Sequence, residues 1–186
     1  MESRDKDIFL TVSVIATVIS LVAFLLFKAL VPTLVGTTLD EQFLSSLRTL
    51  HIFSKLSTGF LYMFLFSAGA ALAFFIRRLL DNAKMVIAGI LLLLMALVTS
   101  FISFSHAVPA MFNKPVVKTV TVVNKDAEYR GGKVKRTHYF LYFSNYSDLS
   151  VSKDKYDATK IGDEYYLVMC GSNPISSYSS SEYRLP

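Results

Sequence analysis

Three stretches of the chain carry no charged residue: 8–27 (IFLTVSVIATVISLVAFLLF), 56–76 (LSTGFLYMFLFSAGAALAFFI) and 85–105 (MVIAGILLLLMALVTSFISFS). Each approaches the roughly 20 apolar residues that a helix rising about 1.5 Å per residue needs to cross about 30 Å of hydrocarbon. A helix satisfies its own backbone where no water can, so the pattern predicts three membrane-spanning helices. The first stretch is longer than a signal-peptide core. Lys28, Pro32 and Gly36 follow it in place of a small-residue cleavage site, and it reads as an uncleaved anchor.

Between the first two stretches the polarity takes on a helical period. Phe43, Leu44, Leu47, Leu50 and Phe53 share one face, with Gln42, Ser45, Arg48 and Thr49 opposite. Thr38-Leu39-Asp40-Glu41 matches a capping box, with Thr38 as the cap and Glu41 reaching back. Residues 38–55 are therefore expected to form an amphipathic helix in the membrane interface, the alternative being an extension of the second span. Residues 77–84 read as a tight turn between the second and third spans.

From Asn113 the pattern shortens to β-like runs. Residues 116–123 (VVKTVTVV) are β-branched and alternate imperfectly, and 134–144 returns as a strand after Arg130-Gly131-Gly132-Lys133. Those two glycines signal a hairpin, because they adopt positive φ without steric cost. A turn at 145–148, a short strand at 149–152 and one helical turn at 153–156 follow. Gly162-Asp163 then turns into a strand at 164–170 (EYYLVMC), and 183–185 offers a last edge. The serine-rich 176–181 reads as a loop or frayed end. The expected core is Tyr139, Leu141, Phe143, Val151, Tyr156, Leu167 and Met169, of which Tyr139, Leu141 and Phe143 share one strand face by period two, as do Leu167 and Met169. The expected fold class is α+β: a membrane domain, 1–112, of three transmembrane helices, followed by a small antiparallel β-domain, 113–186. The strand count suits an OB- or SH3-like barrel or half-barrel.

Val151-Ser152, Tyr156, Gly162-Asp163 and Tyr166-Leu167 resemble the recurring core of uncharacterised bacterial membrane proteins that join a small β-domain of unknown function to a few transmembrane helices. The resemblance covers about the last third of the chain. It implies a multi-pass protein of the bacterial cell (inner) membrane without catalytic residues. A common arrangement brackets the domain with helices, whereas here all three precede it.

Composition agrees with the pattern. The 186 residues are 53% hydrophobic and 18% charged, against about 45–50% and about 25% in ordinary soluble domains. Fifteen Phe and ten Tyr exclude a disordered chain. A single cysteine excludes an internal disulfide framework and any cysteine-built metal site. That cysteine, Cys170, lies in an apolar strand and reads as a buried structural thiol.

Candidate chemistry is sparse. The spans hold no Asp, Glu, Lys, Arg or His, which argues against an ion carrier or proton pump. Ser13, Thr17 and Ser20 share a face of the first helix, and Thr99, Ser103 and His106 one of the third. They read as interhelical hydrogen-bonding groups, and Ser67 with Ala71 and Gly69 with Ala73 as close-packing pairs. His51 and His106 fall at the same membrane face as Asp40 and Glu41, but no helical His pair fixes ligands, so neither a metal nor a cofactor is expected. Neither a phosphate-binding loop nor a nucleophile elbow occurs, so no enzyme activity is expected. Asp154, Asp157, Asp163 and Glu164 lack calcium-loop spacing and have lysines between them, as in a solvated turn. Lys133, Lys135 and Arg136 beside Tyr139 and Phe140 raise nucleic acid as a partner, which a net charge of only +3 over 113–186 disfavours. Asn145-Tyr146-Ser147 is a glycosylation acceptor only in a eukaryotic secretory pathway.

Basic residues on the two sides of the spans number five (Arg4, Lys6, Arg77, Arg78, Lys84) and six (Lys28, Arg48, Lys55, Lys114, Lys118, Lys125). The crowding of three into the 77–84 turn favours a cytoplasmic N-terminus and an extracytoplasmic β-domain. The expected role is non-enzymatic: an accessory, scaffold or sensor subunit in the lipid bilayer whose β-domain meets a protein partner or envelope component. An immunity protein against a membrane toxin, or a homo-oligomeric channel or transport accessory, are the alternatives.

Overall fold

The computed structural model describes residues 3–80, 84–131 and 135–186. Its elements are α1 (Ser3–Ala29), α2 (Glu41–Leu80), α3 (Lys84–Phe112), β1 (Pro115–Gly131), β2 (Lys135–Phe143), β3 (Tyr146–Val151), α4 (Lys153–Ala158), β4 (Glu164–Cys170) and β5 (Asn173–Ser179). They form a helical unit, Met1–Thr33 with Ser46–Phe112, and a β-unit, Leu34–Ser45 with Asn113–Pro186. Gly132 and Lys133 of the expected hairpin turn, and residues 81–83 of the expected interhelical turn, lie outside the described residues.

Among the described residues three helices are long and apolar enough to cross a membrane: Ile8–Ala29, Glu41–Arg77 and Lys84–Phe112. No separate interfacial helix occupies 38–55. α2 runs unbroken from Glu41 through the second apolar stretch, because no proline interrupts it. Its cap is Asp40 and not Thr38: Asp40 Oδ1 accepts the Phe43 N–H at 2.7 Å. Thr38 instead forms a parallel β-bridge with Arg184.

Within the helical unit, Phe27 stacks on Phe60 at 5.5 Å and Phe60 meets Phe104 at 5.2 Å, which ties the three helices together. The small residues at the crossings are required there. A Cβ at Gly59 would overlap the Phe104 ring, and one at Gly89 would lie 2.6 Å from Phe74 Cζ. Hydroxyls turn inward. Thr17 Oγ1 donates to Ser67 Oγ at 3.0 Å, and Ser100 Oγ donates to the Gly59 carbonyl at 2.9 Å. Arg48 closes the end of α3, its Nη2 donating to the Met111 carbonyl at 2.6 Å and its Nε to that of Ala110. These are carbonyls that a helix end otherwise leaves unsatisfied. Apolar side chains face outward: Ile15, Val18, Ile19 and Val22 on α1, and Leu91, Leu94 and Phe101 on α3, the last 73% exposed.

The β-unit is a curled five-stranded antiparallel half-barrel with strand order β3-β2-β1-β4-β5. Its curl originates in β1. The first part of that strand, Pro115 to Thr121, pairs with β4, and from Val122 onward it pairs with β2. The register slips by one residue between Val122 and Asn124 at the exchange of partners, a β-bulge that bends the strand. Val123 is half exposed there while Val120 and Val122 are buried. The core is Val120, Val122, Leu141, Phe143, Tyr165, Leu167 and Met169, with Tyr146, Leu149, Val151 and Tyr156 packed against it. Tyr139, expected inside, is only partly buried and meets Tyr156 at 5.0 Å. Gly162 turns at φ 97° as its motif predicts, and Gly171 turns at φ 65° between β4 and β5. The serine-rich segment is not a frayed end: Ser176 and Ser177 pair with Val168 and Leu167.

Candidate functional site

The β-unit's most elaborated surface surrounds α4. A six-residue helix does not hold its shape alone, and here side chains fasten it at several points. Ser152 Oγ caps its start by accepting the Lys155 N–H. At the other end Lys125, reaching from β1, donates its ammonium to the Tyr156 and Thr159 carbonyls and lies 4.3 Å from the Tyr156 ring centre. Lys155 reaches across to β5, where Nζ donates to the Ser177 carbonyl at 2.7 Å and to Ser177 Oγ at 2.8 Å. The same ammonium lies 5.1 Å from the centre of the Tyr165 ring. Burial holds Lys155 below the usual lysine value, with Glu182 acting in the opposite direction.

Beside this fastening lies a pocket of about 440 Å³. α4 contributes Asp154, Lys155 and Ala158, the Gly162 turn contributes Asp163, and the C-terminal segment contributes Ser177 to Ser179, Ser181, Glu182 and Tyr183. The buried Tyr165 also lines it, its hydroxyl 2.6 Å from Thr159 Oγ1. Tyr178 and Tyr183 meet at 4.3 Å, and Phe43 packs edge-on against both, at 5.7 and 6.0 Å. Phe43 was expected to face lipid. Its cover is instead protein, because Leu34–Ser45 belongs to the β-unit. Backbone bonds strap that segment to the tail: Leu39 N–H to the Arg184 carbonyl at 2.8 Å, and Arg184 N–H to the Thr37 carbonyl at 2.9 Å. Burial raises the Tyr178 phenol above its ordinary value, while a bond with Ser176 opposes the shift.

The other residues singled out in the sequence fall elsewhere. His51 Nε2 lies 3.4 Å from the His106 backbone carbonyl, so the two elements meet through ring and backbone. Among the described residues no three His, Cys, Asp or Glu side chains gather as a metal site. Asp163 Oδ2 accepts the Lys160 N–H at 2.7 Å and so fastens its own turn. Cys170 is fully buried in β4. Lys133 of the basic patch lies outside the described residues. Arg77 is buried on α2, with its Nε unbonded among the described residues.

Sequence reasoning reached Asp154 and Asp163 as parts of a charged turn but missed the pocket. Lys155 and Tyr183 are near neighbours only after β5 pairs with β4. A half-buried lysine also has no sequence signature of its own. Comparison of the chain with protein-family models, curated proteins and solved structures finds no match to any of the three.

Proposed function

We propose that this chain is a non-enzymatic integral membrane protein that holds a small recognition unit beside the bilayer, where a protein or envelope component meets it. The observation that carries the reading is the division of surface between the two units. The helices turn hydroxyls inward and Ile15, Val18, Leu94 and Phe101 outward. An aqueous protein rarely exposes apolar surface on that scale. The β-unit has a core of its own and a pocket lined largely by polar and aromatic side chains. Favoured with it are a cytoplasmic N-terminus and an extracytoplasmic β-unit, on the basic crowding at Arg77, Arg78 and Lys84.

The test is site-specific photocrosslinking in native membranes. A photoreactive amino acid replacing the exposed Ser181, at the pocket rim, should yield a discrete adduct identifiable by mass spectrometry. The same group replacing Ile15, which faces outward from α1, should yield lipid adducts. Lipid or no adduct from both positions would remove the recognition role.

A further inference from the structure

We infer that the pocket between α4 and the C-terminal segment of the β-unit binds an alkylammonium group. The inference rests on the reading of the β-unit as a recognition unit and names the chemistry it takes. At about 440 Å³ the pocket falls within the range typical of small-ligand sites. Three of its lining residues are tyrosines, Tyr165, Tyr178 and Tyr183. The last two are held in place by each other and by Phe43. Aromatic faces attract a cation through the ring quadrupole, most strongly where water is partly excluded.

The formal charges of the lining set the sign of the ligand. Asp154, Asp163 and Glu182 supply three negative charges against the single positive charge of Lys155. That lysine is already engaged: its ammonium donates to the Ser177 carbonyl and hydroxyl and lies over the Tyr165 ring. An entering anion would meet an occupied ammonium and an excess of carboxylates. An entering alkylammonium would meet the rings of Tyr178 and Tyr183 and that same excess, which favours it by Coulomb attraction.

The purified full chain in maltoside micelles provides the test, with saturation-transfer NMR as the readout. Two probes, choline and N-acetyl-lysine methylamide, should bind saturably, with dissociation constants of millimolar order or tighter. The tighter of the two tells whether the pocket favours a quaternary group or a lysine side chain. The uncharged choline isostere 3,3-dimethyl-1-butanol should bind at least about fivefold more weakly. Glu182→Gln, at an exposed position, should weaken choline by about threefold to tenfold, with the alkylation rate of Cys170 unchanged as the control for folding. Equal binding of the uncharged isostere, competition by inorganic phosphate, or no saturation by either amine below about 50 mM would overturn the assignment. A photocrosslinked partner that persists while the amines fail removes the ammonium chemistry alone; loss of the adduct removes the recognition reading itself.

Discussion

Leu167 offers the sharpest check on the β-unit core. It has no exposed surface, and it sits mid-strand in β4 between Lys118 of β1 and Ser177 of β5. Around it stand Val122, Leu141, Phe143 and Met169. Truncating such a leucine to alanine removes its transfer free energy and leaves a cavity, a loss of about 2.7–5.0 kcal/mol in well-packed cores. The open side of a half-barrel relaxes more readily than a closed core, so we place Leu167→Ala at about 3–4 kcal/mol. The readout is three residues along the same strand. Cys170 is the chain's one cysteine and is fully buried. Its alkylation therefore waits on opening of the unit, and the rate follows the opening equilibrium. At about 1.4 kcal/mol per factor of ten, Leu167→Ala should speed alkylation by about 10²- to 10³-fold. Val116→Ala, on β1 at a position 55% exposed, should change the rate by no more than about twofold. If the two variants label at similar rates while both keep their helical circular dichroism, Leu167 is not at the centre of the core.

Three further outcomes follow from the same packing. Lys155→Met removes two hydrogen bonds to Ser177 and should cost about 1–2 kcal/mol, read from hydrogen exchange in β4. Because the folded Lys155 value lies below the unfolded one, the unfolded state binds more protons in between, so wild-type stability rises with pH through that window. After correction for intrinsic exchange, the gap between wild type and Lys155→Met should widen as pH rises toward the unfolded lysine value of about 10.4; a constant gap would refute the burial of the ammonium. Gly89→Ala, which sets a methyl 2.6 Å from Phe74 Cζ, should lower helical-unit stability by about 1–3 kcal/mol in detergent titration. Gly69→Ala, whose nearest neighbour is Leu92 at 3.4 Å, should stay within about 1 kcal/mol of wild type. In a Cys170→Ser background, Ser181→Cys should react with a membrane-impermeant maleimide on intact cells, and Asn82→Cys only after permeabilisation. The reverse pattern would put the β-unit in the cytoplasm.

The apolar stretches, the Gly162-Asp163 turn and the β4 strand were legible because each rests on local chemistry: run length, positive φ, or alternation. The errors share one cause, a distant partner. Thr38 has the right neighbours for a cap, but its backbone is committed to Arg184, and the helix starts from Asp40. Ser176 and Ser177 have poor strand chemistry alone, and β4 makes them an edge strand. Val120 and Val122 were missed as core because Val116, Val117 and Val123 are equally apolar and blur the alternation, although Val116 and Val123, the latter at the bulge, are half exposed. The pocket was hidden for the same reason. Its walls come from α4, the Gly162 turn and the tail, which only the finished sheet brings together.

The strap between Thr38 and Arg184 also sets an order of events in the making of the protein. Leu39 is 2% exposed in a β-unit whose remaining residues begin only at Asn113. During synthesis the connection after the first helix therefore emerges long before anything exists for it to join, and it waits while the other two long helices are made. Contacts so far apart in sequence are slow to close, and this one can close only when Arg184 has left the ribosome. Arg184 thus gates the closing of the β-unit: a chain arrested just short of it has its helices and most of its strands, yet leaves Leu39 without its place.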